Sequence, residues 1–289
     1  MVENFLLEVL FFGTLEASVY MLLAMGFSLV YGVGGILNLS HGAFYLLAGY
    51  ILFWGYVSLG VSVMMIVAVI IITTVGGASY ILMIEPLQET ELGVVLATFA
   101  LGFFFEQFIK VAGDALPHTV PVLIPGSIKF GGLAITAQSM LTIIGSIVIV
   151  IITMIFINKS RIGKSIRAVS QDREAAMLMG INADRILMYT MMISAFLAGI
   201  AAVLYVPASS IAPHLGWDVL TNSFAIVILG GLGSIPGSIL GAFILGYTRN
   251  FANYYISPSF SALIPIVVIV VVLVLRPRGI LGKKELRGK

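Results

Sequence analysis

Between Glu16 and Glu85 the chain carries no Asp, Glu, Lys or Arg. One crossing of the hydrocarbon takes about 20 apolar residues, so this stretch reads as two or three consecutive membrane spans. The remainder agrees: 60% of the 289 residues are hydrophobic and 10% are charged, a composition of polytopic membrane proteins. Met1 to Leu10 lacks the basic segment that opens a cleavable signal peptide, so the N-terminus is expected to be retained. The absence of cysteine excludes disulfides, thiol catalysis and thiolate metal sites.

Apolar segments fall near 5–31, 40–58, 61–84, 92–112, 136–158, 186–206, 218–235, 237–256 and 261–275, separated by polar or Gly/Pro breaks. The expected fold is all-α, with residues 1–289 in one transmembrane domain. Nine crossings is the simplest count; the Gly-rich stretches 32–42 and 230–238 allow eight to ten. No Lys or Arg precedes Lys110, and thirteen of the fifteen lie at or after Lys159. Cytoplasmic loops collect Lys and Arg. The 159–185 loop and the basic tail 276–289 should therefore face the cytoplasm, and the N-terminus the outside. Lys283, Lys284, Arg287 and Lys289 read as a tail flanking membrane lipid; no nucleic-acid partner is expected.

The two Gly-rich stretches share a pattern. The first is Gly34-Gly-Ile-Leu-Asn-Leu-Ser-His-Gly42, followed by Gly49-Tyr50; the second is Gly230-Gly-Leu-Gly-Ser-Ile-Pro-Gly237, followed by Gly246-Tyr247. Interrupted apolar segments in corresponding halves are how inverted transporter repeats show themselves, while close helix packing is the other use of such glycines. Irregular backbone at membrane depth survives only where protein or a water-filled cavity satisfies it. Asn38, Ser40 and His41 in the first stretch, and Gly231, Gly233, Ser234, Pro236 and Gly237 in the second, are thus candidates for lining a translocation path. Glu16 joins them as a costly intramembrane acid, and Glu8 lies on the same helix face. Glu106 and Lys110 stand at i,i+4 and are expected to pair. His41 has no second ligand at metal spacing, so neither a metal nor a cofactor is expected; capping a broken helix is its first expected role and path lining its second.

One polar island interrupts the apolar chain, from Asn158 to Arg185. Two short helices fit it. Asp172 and Glu174 open the first, where acids complement the helix dipole, and Gly180 closes it as a left-handed cap. Asn182 caps the next helix, which runs on into the membrane segment near Ile186. Ala175, Ala176, Met177, Leu178 and Met179 make this loop apolar enough to lie in a partner's groove or on the lipid interface. Gly163-Lys164-Ser165 is no phosphate loop, because Asn158 stands where the motif needs Gly.

The string from Gly163 to Asn182 resembles the coupling loop of ABC importer permeases, and its fuller form is similar to the LivH-type permease of branched-chain amino acid importers. Leu37-Asn-Leu-Ser-His-Gly42, Gly230-Gly-Leu-Gly-Ser-Ile-Pro-Gly-Ser238 and Arg276-Pro-Arg-Gly-Ile-Leu-Gly282 carry the same resemblance along essentially the whole chain. Two departures stand out: Ala43 occupies a position where the family often has an acid, and the Ile-x-Leu-Pro ending of the broader motif is missing. The resemblance implies a non-catalytic subunit in the cytoplasmic (inner) membrane. It would pair with a second, LivM-like permease, two cytoplasmic ATPases and a periplasmic or extracellular solute-binding protein. Gly163, Arg167, Asp172, Arg173, Glu174, Ala175, Ala176, Gly180 and Asn182 would form the ATPase-coupling segment. Other permeases of that superfamily carry ureas, amides, sugars or nucleosides. A stand-alone secondary carrier with Glu16 as proton relay would explain the Gly-rich breaks but not the coupling segment. An intramembrane enzyme would need a nucleophile or metal cluster, and none is visible.

Overall fold

The structure, a computed structural model, describes residues 2–88, 90–113, 116–130 and 133–282. Lys283, Lys284, Arg287 and Lys289 lie outside the described residues. Long helix α1 (Val2–Gly34) is followed by a non-helical stretch, 35–40, and by α2 (His41–Leu59). Helix α3 (Val61–Ser79) continues through a π turn, Tyr80–Ile84, and a 3-10 turn, Glu85–Leu87. Helix α4 (Glu91–Gly113) leads to a hairpin of β1 (Ser127–Phe130) and β2 (Leu133–Thr136), antiparallel with Ser127 opposite Thr136. Then come α5 (Ala137–Lys159), the short α6 (Arg161–Gln171) and α7 (Arg173–Leu178), α8 (Ala183–Tyr205), α9 (Leu215–Gly230), α10 (Ile235–Tyr255) and α11 (Pro258–Leu275).

Each of the nine apolar segments corresponds to a helix, but the seventh and eighth are two arms of one pair, bent by 119° at 231–234. Among the described residues seven helices are long and apolar enough to cross a membrane, or up to eight if the bent pair is one span. Eight meets the lower end of the expected eight to ten, and seven lies below it. The two arms fall short for different reasons: the 16 residues of α9 reach about 24 Å at 1.5 Å per residue, short of the roughly 30 Å hydrocarbon, while the 21 residues of α10 are long enough but less apolar, with Thr248, Arg249 and Asn250 near their end.

One face of the bundle gathers the ends that matter. Gly34 at the end of α1 abuts Leu187 in the first turns of α8, and Gly32 abuts Gly233 in the bend. Gln88 after α3 reaches Asp184 at 3.3 Å. Ile280 and Leu281 donate their backbone N–H groups to the Leu229 and Gly230 carbonyls at 2.8 and 2.9 Å. The island 159–185, the bend and the start of the tail therefore share this face, called here the loop face. On the opposite face His118 and Ile211 form a two-way backbone bridge at 2.8 Å, and His118 stacks on Phe53 at 4.2 Å.

The core lies where α1, α2, α3, α8 and α10 meet, and most of its side chains are apolar. Hydroxyls within it bond to carbonyls one turn back, as Thr142 does to Gln138, Thr190 to Ile186 and Ser223 to Val219. Such local bonds remove the cost of bringing a polar side chain into an apolar helix. The flanks of α4, α5 and α11 point apolar side chains outward, Phe104, Ile144 and Val274 among them, as a surface meeting lipid or another membrane subunit does.

Candidate functional site

The loop-face elbow is built from caps. The Ser160 hydroxyl accepts from Gly163 N–H at 2.8 Å, Asp172 from Ala175 N–H at 2.9 Å, and Asn182 from Arg185 N–H at 2.9 Å. Each satisfies a first-turn donor that a helix start leaves free. Gly180, expected as the closing cap, has φ +84°. Helix α6 buries Gly163, Ile166 and Val169, one stripe at helical spacing, against α5, α1 and α8. Gly163 is where α6 turns tightest on α5: a Cβ there would overlap the Phe156 and Ile157 carbonyls. Its role is in the bend itself.

The acids and cations of the elbow divide. Arg173 turns back to the bundle, pairing with Asp184 at 2.8 Å and bonding Gln88 at 3.2 Å. Arg167 donates to the Asn158 carbonyl at 3.2 Å, tying α6 to the end of α5. Asp172 is occupied as a cap, and Ala176 is buried. Glu174 and Ala175 are exposed, together with Met177 at 47%, Leu178 at 88% and Met179 at 83%. The result is a braced arm with an apolar tip and one acid beside it.

The first break returns into the bundle. The His41 ring nitrogens meet the Leu23 carbonyl at 2.9 Å and the Ser194 hydroxyl at 3.1 Å. Leu23 lies eleven residues before Gly34, about 16 Å along the helix, so α2 starts near mid-membrane. Asn38 Oδ1 accepts from Ser40 N–H at 3.1 Å and from its hydroxyl at 2.6 Å, and Asn38 Nδ2 contacts Met191 Sδ at 3.6 Å. The Leu39 N–H donates to Thr98 on α4 at 3.2 Å. Asn38, Ser40 and His41 are almost completely buried, and their polar groups are used in closing the break. Ala43 lines a small crevice with Leu39, Gly102, Glu106 and Trp217. Glu106 pairs with Lys110 at 2.6 Å, as their spacing implies.

The second break is made by main chain. Gly231 and Gly233 have φ +105° and +76°. Ser234 caps α10 by accepting from Gly237 N–H at 3.2 Å, Pro236 stands in the first turn, and Gly237 lies against Gly230 with no room for a Cβ. The carbonyls ending α9 receive the tail's N–H groups, which gives Arg276-Pro-Arg-Gly-Ile-Leu-Gly282 a structural use.

Glu16 lies in the electrostatic field of Arg249 on α10, and Glu8 bonds Tyr254 on the same helix. The face of α1 with both acids thus packs on α10. Arg249 donates to the Tyr20 hydroxyl and sits 5.7 Å from that ring's centre. Sequence reasoning passed over Arg249 and Gln88. Arg249 had a signal, being the single Lys or Arg between Arg185 and Arg276. Gln88 had none.

A family described as "Branched-chain amino acid transport system / permease component" matches residues 9–273. The chain belongs to that family. It is 31% identical to the high-affinity branched-chain amino acid transport permease protein BraD of Pseudomonas aeruginosa, covering 94% of each chain. To the LivH permease protein of Escherichia coli it is 28% identical over 99% of each. Among solved structures it is similar to a chain of PsaBC from Streptococcus pneumoniae in complex with Fab, with TM-score 0.56 and 15% identity, covering 96% of this chain and 97% of that one. The last likeness is one of fold. The braced elbow, the broken helices and the sealed bend are therefore features of a multi-pass permease.

Proposed function

We propose that this permease is the non-catalytic transmembrane subunit of an ATP-driven importer for branched-chain or related hydrophobic amino acids, in the cytoplasmic membrane. The loop face is cytoplasmic, which puts the C-terminus inside and the N-terminus outside; the Lys and Arg of 159–185 and of the tail support that orientation. A second LivM-like permease, two cytoplasmic ATPases and an external solute-binding protein complete the machine, as the names of the relatives encourage.

The observation that carries the reading is the apolar tip Met177-Leu178-Met179 on an arm fixed at both ends. An exposed apolar patch marks a contact surface, and a short amphipathic helix fits a partner's groove. Force on the tip passes through the Arg173–Asp184 and Gln88 contacts and the capped start of α8, so ATPase movement would tilt α8 in the core. Glu174 and Arg167 lie beside the contact, while Gly163 and Gly180 hold its shape.

The test is the assembled transporter in proteoliposomes with its ATPases and binding protein. Leu178→Asp, Glu174→Ala and Gly180→Val are expected to insert normally yet to lose most ATP-driven leucine uptake, with hydrolysis no longer tied to transport. Wild-type coupling in all three would sink the proposal, as would ATP-independent uptake by this chain alone.

A further inference from the structure

Beside the elbow, between the end of α3 and the first turns of α8, lies a groove of about 440 Å³. Cavities of roughly 300–1,000 Å³ are the size that takes small molecules. Glu85 lines it from α3's end, Asp184 and Arg185 from α8, and Ile81 and Met188 supply apolar wall. Asp184 is engaged by Arg173. Glu85 and Arg185 have no ion-pair partner among the described residues. The free charges of the groove are thus one carboxylate and one guanidinium.

A second observation comes from Tyr80, which also lines the groove. It is 1% exposed, and its hydroxyl has no hydrogen-bond partner. It stands at the start of the π turn, an interruption that recurs at functional sites, and in the field of Asp184, Glu85 and Arg173. A buried hydroxyl left unpaired costs free energy that a bound polar group would recover.

We propose that this groove is a binding site for a zwitterion bearing an ammonium and an anionic group on an apolar body. The ammonium is held at Glu85, the anionic group at Arg185, the Tyr80 hydroxyl bonds the ligand, and the hydrocarbon lies on Ile81 and Met188. One free charge of each sign selects against simple anions and simple cations. Two sources offer this chemistry at a membrane face: a free apolar α-amino acid, or the ethanolamine-phosphate headgroup of a phospholipid. Asp184 links the groove to Arg173, so occupancy bears on the brace of the elbow. The site adjoins the elbow at the first turns of α8, a position suited to regulation.

The experiment uses the purified full chain without ATPases, so its outcome is independent of import direction or coupling. Binding of radiolabelled L-leucine is measured by equilibrium dialysis in detergent. Retention of phosphatidylethanolamine over phosphatidylglycerol is read by native mass spectrometry after extraction from vesicles of equal parts of the two. The variants are Arg185→Gln, Glu85→Gln and Tyr80→Phe, the last keeping the ring so that packing is undisturbed. Saturable leucine binding weakened at least about tenfold by the two charge variants and several-fold by Tyr80→Phe establishes the free amino acid. Selective phosphatidylethanolamine retention lost in the same variants establishes the headgroup. Neither ligand held, or either held equally by wild type and all three variants, overturns the proposal.

Discussion

The two broken helices solve one problem by different means. At 35–40 the chain turns back to about mid-membrane, and its polar groups are met largely by side chains: Asn38, Ser40, His41, Thr98 and Ser194. At 231–234 the chain turns near the loop face, and glycines, a close backbone crossing and the tail's N–H groups do the work. Depth explains the contrast. Far from water every N–H and C=O must find a protein partner, and side chains can reach across helices to supply one. Near the face a tight crossing and a borrowed strand of tail suffice, leaving the bend thin. A break wired by side chains is sensitive to loss of polar atoms; a break closed by main chain is sensitive to added bulk.

Substitutions can separate the two kinds of break. Gly237→Val should have the largest effect, because its side chain would meet the Gly230 backbone. Folded, monodisperse protein on fluorescence-detected size exclusion is expected to fall about tenfold or more, the consequence of overpacking at a backbone contact; an unchanged yield would show that the bend is not closed by main chain. His41→Ala comes next. It removes the partner of the Ser194 hydroxyl and a second bond to the Leu23 carbonyl, at a cost of about 1–3 kcal/mol, visible as a melting temperature lower by several degrees in detergent, with partial recovery in His41→Gln. No shift would mean that the first break is held by something other than its side chains. Thr98→Val should cost about 1 kcal/mol through the Leu39 N–H. Ser234→Ala, which removes the one side-chain cap of the second break, should also cost about 1 kcal/mol. A Ser234→Ala penalty well above that of His41→Ala would reverse the comparison.

Much of this arrangement was legible beforehand. The island's cap at Asn182 and its glycine at 180 are local chemistry, set by residues three positions apart or by a single φ, and they stand where the sequence put them; Asp172, read for its charge at a helix start, is the cap itself, and α6 ahead of it was not expected. The Glu106–Lys110 pair is likewise local. A role for His41 in closing the broken helix was expected and the Ser40–Asn38 bond is local, but the partners Leu23 and Ser194 of His41 and Met191 of Asn38 were not legible, because they lie on other helices. A polar residue in an apolar run looks alike whether it faces a path or a neighbour. The same limit hid the brace made by Arg173, which was expected in the ATPase-coupling segment and turns to Asp184 and Gln88. It also hid the 119° reversal, since the chain can pass glycine by bending or by packing closely.

By itself, the sequence determined that this chain lives in a membrane, where its helices run, where they are interrupted, and which loop is polar. These follow from transfer cost, capping and helix propensity, which act on residues close along the chain. Tertiary structure alone decided that the bend, the tail and the elbow share one face, that α2 begins deep in the bundle, and that the tail seals the end of α9. Those results depend on which distant backbone groups satisfy one another. In a low-dielectric interior that pairing is compulsory, but its partners are chosen only when the helices pack.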